Sequence, residues 1–157
     1  MYLCHGRQEM TEPMTDDVDF EIVFKDRVAE EDRTILDEAL ANHTSSLFGT
    51  VAAGGLTFMA KTGSEVVGGV TGYWGSFGWL YIDQLWVSSD KRGQGLGSRL
   101  LTLIENEAVK LGCLNAHLNT MSFQAPEFYR RHGYVVFGEL EDFPVGHTRL
   151  FLRKRLV

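Results

Sequence analysis

The stretch Asp90–Leu101, DKRGQGLGSRLL, sets glycines at Gly93, Gly95 and Gly97 and then turns apolar at helical spacing. Glycine costs backbone entropy, so such a cluster marks a chain that turns sharply or must be approached closely. A strand feeding a glycine-rich turn that opens a helix is a way to hold an anion. Bare amides and the positive end of the helix converge there on phosphate oxygens. A Walker loop would need G-x-x-x-x-G-K-[ST], and no lysine stands in the required place. A dinucleotide fingerprint would need G-x-G-x-x-G and an acid near the end of the next strand. Here the glycines run G-x-G-x-G, and the next strand offers Asn119. Arg92-Gly93-Gln94-Gly95-Leu96-Gly97 spells a third pattern, [Q/R]-x-x-G-x-[G/A].

A second chemical marker lies just upstream. Asp83 is the only carboxylate in the apolar run 77–87, FGWLYIDQLWV, and an acid in such surroundings needs a partner or a function. The aromatics Tyr73, Trp74, Phe77, Trp79 and Tyr81 cluster around the same run. Alternation should send some of them into the core and others toward a cleft, where aromatic faces suit a cationic amine. Glu139, Glu141 and Asp142 near the last hairpin offer negative charge to the same kind of ligand, although acidic loops are usually just solvated. The histidines show no metal spacing, and His117, His132 and His147 receive neither a metal nor a catalytic role.

Elements must position these residues. FEIVFK (20–25) alternates and reads as a strand; Ile35, Leu36, Ala39 and Leu40 then predict a helix over 29–43. Residues 44–55 are weakly patterned, a short helix or a mobile loop. LTFMAK, the turn TGSE and VVGGVTGYW read as a hairpin, and WLYIDQLWV (79–87) as a central strand. The glycine stretch opens a helix with Leu96, Leu100, Ile104, Ala108 and Leu111 on one face, closed by Gly112. A strand at 116–120, a short helix in QAPEFYRRHG and strands in YVVFGEL and HTRLFLRKRL complete the chain. The order is that of a mixed α/β layer structure.

The chain has 157 residues, of which 44% are hydrophobic, enough for one domain with its own core. A net charge of -6 argues against nucleic acid or an anionic membrane as partner. Cys4 and Cys113 are too few for a disulfide framework and point to a reducing compartment. No run reaches the length of a membrane span, and the start lacks a signal-peptide core. Residues 1–18 therefore read as a flexible acidic tail, 19–157 as the domain, and the location as cytoplasmic.

The six-residue loop, the strand LYIDQLWV before it and EFYRRHGY after it together resemble the GNAT superfamily of N-acetyltransferases. In that family the loop pattern holds the pyrophosphate of acyl-CoA, and Phe128–Tyr134 is similar to its F-Y-x-x-x-G-[F/Y] signature. The element order is similar from about residue 20 to the C-terminus. The resemblance implies a single-domain α/β fold whose mixed sheet has six to seven strands and about four flanking helices. A splayed central strand pair holds CoA. The implied reaction is acetyl transfer from acetyl-CoA, without a metal, to a primary amine of a small molecule or peptide, by direct attack in a ternary complex. It leaves room for a homodimer.

On the same resemblance the amides of Gln94, Gly95, Gly97 and Ser98 meet the pyrophosphate, and Gly93 and Leu96 complete the loop. Arg92 and Arg99 add charge. Leu85, Trp86 and Val87 flank the pantetheine and supply the amide that holds the oxyanion. Tyr129 stands where many relatives place the acid that protonates the departing thiolate. Asp83 matches the glutamate of LED-x-x-V in polyamine acetyltransferases, a proton acceptor for the amine; the other reading is a hydrogen bond to backbone at a strand bulge. Ser122 departs from the family's usual asparagine. A reading of another class is a CoA-binding sensor or interaction module that has lost turnover.

Overall fold

The computed structural model describes residues 20–157. The expected acidic tail, residues 1–18, lies outside the described residues. The described residues fall into two units, one ending at Leu40 and the other Ala41–Val157. In the first, Phe20–Lys25 form no strand, contrary to their alternation. A strand exists only where a neighbour completes its hydrogen-bond ladder, and none of the six strands of the sheet pairs with these residues. Helix α1 (Glu30–Phe48) opens on Glu30, Glu31 and Asp32, a charge sign that suits a helix N-terminus. Lys25 Nζ lies 2.6 Å from Asp32 Oδ2. The helix outruns its expected end and absorbs the first part of 44–55; the rest is irregular up to residue 52.

The second unit holds the whole sheet. Its strands are β1 (Ala53–Thr62), β2 (Glu65–Gly75), β3 (Trp79–Val87), β4 (Asn115–Met121), β5 (Val135–Leu140) and β6 (Arg149–Arg155). They lie in the order β1-β2-β3-β4-β6-β5. All pairs are antiparallel except β3 with β4. Helix α2 (Leu96–Lys110) follows a short 3-10 turn at Ser89–Lys91, and α3 (Pro126–Arg131) lies between β4 and β5. Among the described residues the α-helices are three, beside the about four that the family resemblance implied.

One irregularity in β3 governs the site. Thr71 pairs with Gln84 and Gly72 with Ile82, so Asp83 is an extra residue without a partner on β2. Such a bulge reverses the side-chain alternation beyond it. Leu80 and Ile82 are buried, and past the bulge Leu85 and Val87 again pack toward that core. Gly72 makes the bulge possible. A Cβ there would stand 2.6 Å from the Tyr81 carbonyl oxygen and 3.1 Å from the Ile104 side chain.

Leu100, Leu101, Ile104 and Ala108 of α2 cluster with Val70, Leu80, Ile82, Ala116, Leu118 and Leu152 of the sheet. These positions recur at three and four along the helix and at two along the strands. A fully buried leucine or isoleucine contributes about 1.5–3 kcal/mol, so this layer fixes α2 against the sheet. Glu105, on the buried side of α2, accepts hydrogen bonds from the Tyr134 hydroxyl (2.8 Å) and from Lys154 Nζ (2.7 Å). Burial and that carboxylate push the Tyr134 hydroxyl far above its ordinary pKa.

Candidate active site

The β3–β4 ladder stops at Ile82↔Leu118, although β3 runs on to Val87 and β4 to Met121. Beyond that pair the strands part, and a cleft of about 1000 Å³ opens between them. Its walls are the second half of β3, the glycine loop with the first turn of α2, the end of β4, and α3. Edge amides and carbonyls of two strands thus face a gap with no ladder across it.

The glycine loop enters with left-handed backbone at Gly93 (φ 72°) and Gly95 (φ 80°), where a side chain would be strained. Gly95 is the N-cap of α2 and has no side chain to bond the helix amides. The first bond of the helix runs from Arg99 N–H to Gly95 O at 3.1 Å. The amides of Leu96, Gly97 and Ser98 therefore lack intrahelical partners beside the cleft, and the helix dipole favours an anion there. Arg92 Nε donates to Val87 O at 3.0 Å, fastening the loop to the strand end. At Gly97 a Cβ would stand 3.5 Å from the Phe128 ring, ordinary contact, so α2 and α3 meet closely here.

Of the residues singled out in the sequence, Asp83, Leu85, Trp86, Val87, Arg92, Gly93, Gly95, Leu96, Gly97, Ser98 and Tyr129 all line this cleft. Gln94 and Arg99 do not; both line a second cavity of about 440 Å³ bordered by α2, β1 and β2. Gln94 turns back to donate to Asp90 O at 2.9 Å. Lys91 and Arg131 line the main cleft and bring positive charge that the sequence reading missed. Arg131 was visible as a cation within the FYRRHGY signature.

Tyr129 is half-buried, and burial raises its hydroxyl above the ordinary value. Its ring meets Phe128 and Tyr134 edge to face, with centroids 5.1 and 5.9 Å away. Asp83 is exposed, and among the described residues its carboxylate has no hydrogen-bond partner. The bulge is present, but the backbone hydrogen bond expected of a structural aspartate is not. The Ser122 hydroxyl accepts the Thr148 N–H, just ahead of β6, at 3.1 Å. The polar group at the end of β4 is instead Gln124, whose Oε1 accepts from Met121 N–H (2.8 Å) and the Thr120 hydroxyl (2.9 Å).

The aromatic cluster does not reach the cleft. Trp74 packs on the core, Tyr73 and Phe77 are exposed, and His117 meets Trp79 edge to face and Tyr81 at a tilt. Burial lowers the His117 pKa. Glu139, Glu141 and Asp142 also lie outside the cleft lining; Asp142 accepts the Gly146 N–H at 3.0 Å within a turn. Among the described residues no cluster of His, Cys, Asp and Glu is placed to hold a metal, and no helix is long and apolar enough to cross a membrane.

Residues 18–134 match the acetyltransferase (GNAT) family. A blasticidin-S acetyltransferase from Streptomyces morookaense is 40% identical over 101 residues, which span 64% of this chain and 74% of that protein. The crystal structure of an acetyltransferase from Bacillus cereus superposes with a TM-score of 0.76 at 34% identity, covering 85% of this chain and 97% of the other. An aminoglycoside 6'-N-acetyltransferase crystallised with coenzyme A shares the fold at 19% identity. Its TM-score is 0.59, over 66% of this chain and 73% of its own. The family match takes in the segments that wall the cleft, and this chain belongs to the GNAT family of acetyltransferases.

Proposed function

We propose that the protein transfers the acetyl group of acetyl-CoA to a primary amine of a small molecule, by direct attack while both substrates are bound. The observation that carries this reading is the gap between β3 and β4, which runs into the uncapped amides of α2. A pantetheine arm offers amides that can complete the ladder the strands leave open. The pyrophosphate meets the helix N-terminus, with Lys91, Arg92 and Arg131 around the same cleft.

The acceptor is the difficult reactant. An amine with a pKa near ~10.4 is neutral in only about one molecule in a few thousand at pH 7, at a cost of roughly 4–5 kcal/mol. Asp83, exposed to the cleft and without a competing partner, takes the amine proton directly or through water. The amine nitrogen then forms the C–N bond, and the carbonyl oxygen, gaining charge, is held by a main-chain amide in Leu85–Val87. The nitrogen, cationic after attack, loses its extra proton to solvent; as the oxyanion collapses and the C–S bond breaks, Tyr129 gives its proton to the sulfur. A thiol ionises near ~8.5, so the thiolate leaves readily and this assistance is modest. Tyr129 recovers a proton from solvent.

The small-molecule class is favoured over a peptide by the blasticidin-S acetyltransferase among the relatives. The test is thiol release from acetyl-CoA across a panel of antibiotic amines, polyamines and peptides, with initial rates measured while both substrates vary. Intersecting double-reciprocal lines are expected for one or more small amines. Parallel lines would overturn direct attack. A rise in melting temperature with acetyl-CoA but no release with any amine would favour the sensor reading.

A further inference from the structure

We propose that His132 is a positioning residue for acyl transfer, a bridge that holds the amide-bearing turn of α2 in register with the helix that carries Tyr129. The inference rests on the reading of the cleft as the acetyl-CoA site. His132 is half-buried at the C-terminal end of α3. Its Nδ1 lies 2.7 Å from the Phe128 carbonyl oxygen. A carbonyl only accepts, so Nδ1 carries the hydrogen and donates. In the neutral ring Nε2 is then the acceptor, and it faces the Ser98 hydroxyl at 2.9 Å, which donates to it.

The two bonds end on opposite walls of the cleft. Phe128 and Tyr129 belong to α3, and Ser98 belongs to the first turn of α2, whose amides have no intrahelical partners. The imidazole also packs on the Phe128 ring, with centroids 4.4 Å apart, and that ring touches the site of a Gly97 Cβ. Helix α3 has only six residues and buries none of them fully, so its own packing fixes it weakly. The distance from the phosphate-binding amides to the Tyr129 hydroxyl must match the length of the CoA arm between pyrophosphate and sulfur. The His132–Ser98 bond sets that distance where the two elements meet at the cleft, and the bond to Phe128 leaves Nε2 as the acceptor in the neutral ring.

Two conservative variants divide the bridge. The amide of His132→Asn stands where Nδ1 is, keeping the bond to Phe128 and losing the one to Ser98. The amide of His132→Gln reaches the place of Nε2, keeping Ser98 and losing Phe128. Each gives up one hydrogen bond, so their melting temperatures should fall alike. Only His132→Asn should lose kcat at saturating acetyl-CoA, by about tenfold, with His132→Gln within about threefold of wild type. Ser98→Ala, which keeps its main-chain amide, should match His132→Asn, and the double variant should be no slower than either. Equal kcat losses in the Asn and Gln variants, or additive losses in the double variant, would overturn the bridge. A wild-type melting temperature indifferent to acetyl-CoA would instead overturn the cleft reading before any variant is compared.

Discussion

The wall of the cleft from Val87 to the first turn of α2 works with main chain, whereas the chemistry assigned around Asp83 and Tyr129 hangs on single side chains. The first wall presents amides freed by a glycine N-cap and strand edges freed by a ladder that stops at Ile82. Its side chains mostly brace the loop: Arg92 bonds Val87 O and Gln94 bonds Asp90 O. The assigned chemistry has one exposed carboxylate, on β3 itself, and one half-buried phenol, across the cleft on α3. A main-chain site is hard to lose by substitution but easy to block. A side-chain site can be erased an atom at a time, which makes the two separable by experiment.

The largest effect is expected from blocking the main-chain wall. Gly95→Asp places a carboxylate at the N-cap, where it competes with phosphate for the same amides and repels it. The rise in melting temperature that acetyl-CoA gives the wild type should vanish. A shift that survives would put the CoA site elsewhere.

Tyr129→Phe keeps the ring among its aromatic neighbours and removes one oxygen. The acetyl-CoA shift should persist while kcat falls by up to about 10²-fold. Because burial holds the hydroxyl above its ordinary range, wild-type turnover should show no loss of this acid up to about pH 10. Undiminished turnover in the variant from pH 6 to 9 would leave Tyr129 a packing residue.

Asp83→Asn should cost most at pH 6, where the amine is charged, and least as pH nears the amine's own pKa. Since the carboxylate is exposed and unpartnered, stability should stay within about 0.5 kcal/mol of wild type. Parallel profiles of kcat/KM against pH would remove the base role.

The smallest effect on catalysis marks the outer limit of both walls. Tyr134→Phe leaves Glu105 with Lys154 alone and should lower stability by about 1–2 kcal/mol, a few degrees in Tm, with kcat nearly unchanged. The folded protein binds the Tyr134 proton more tightly than the unfolded chain, whose tyrosine titrates near ~10. Stability from this group is therefore complete below about pH 10 and declines above it; the variant should melt with a flatter alkaline slope.

Strand β3 could be placed from the sequence because it is a nearly continuous apolar run entered from the turn GSFG, and helix α2 because its period of about 3.6 is unbroken and glycines bracket it. FEIVFK carried a strand's alternation and formed nothing, since a strand is a property of a pair. The aromatic cluster was misdirected for a related reason: alternation assigns two faces but does not say which borders a cleft. Asp83 looked buried among apolar neighbours, yet the bulge at that residue leaves it exposed. His132 drew no role because its partner Ser98 is 34 positions away, and only the fold brings them together.

The bulge has a consequence in arithmetic. Position 83 contributes a carboxylate, but it also contributes a count of one. Any substitution there changes what projects from the strand and leaves the parity of the next four residues alone. Deleting it would make the alternation regular: Gln84 would follow Ile82 as Thr71 precedes Gly72, and Leu85 and Val87 would stay toward the core. Residue 83 should therefore accept many replacements, and its deletion should cost the strand its bulge and its carboxylate but not its core contacts.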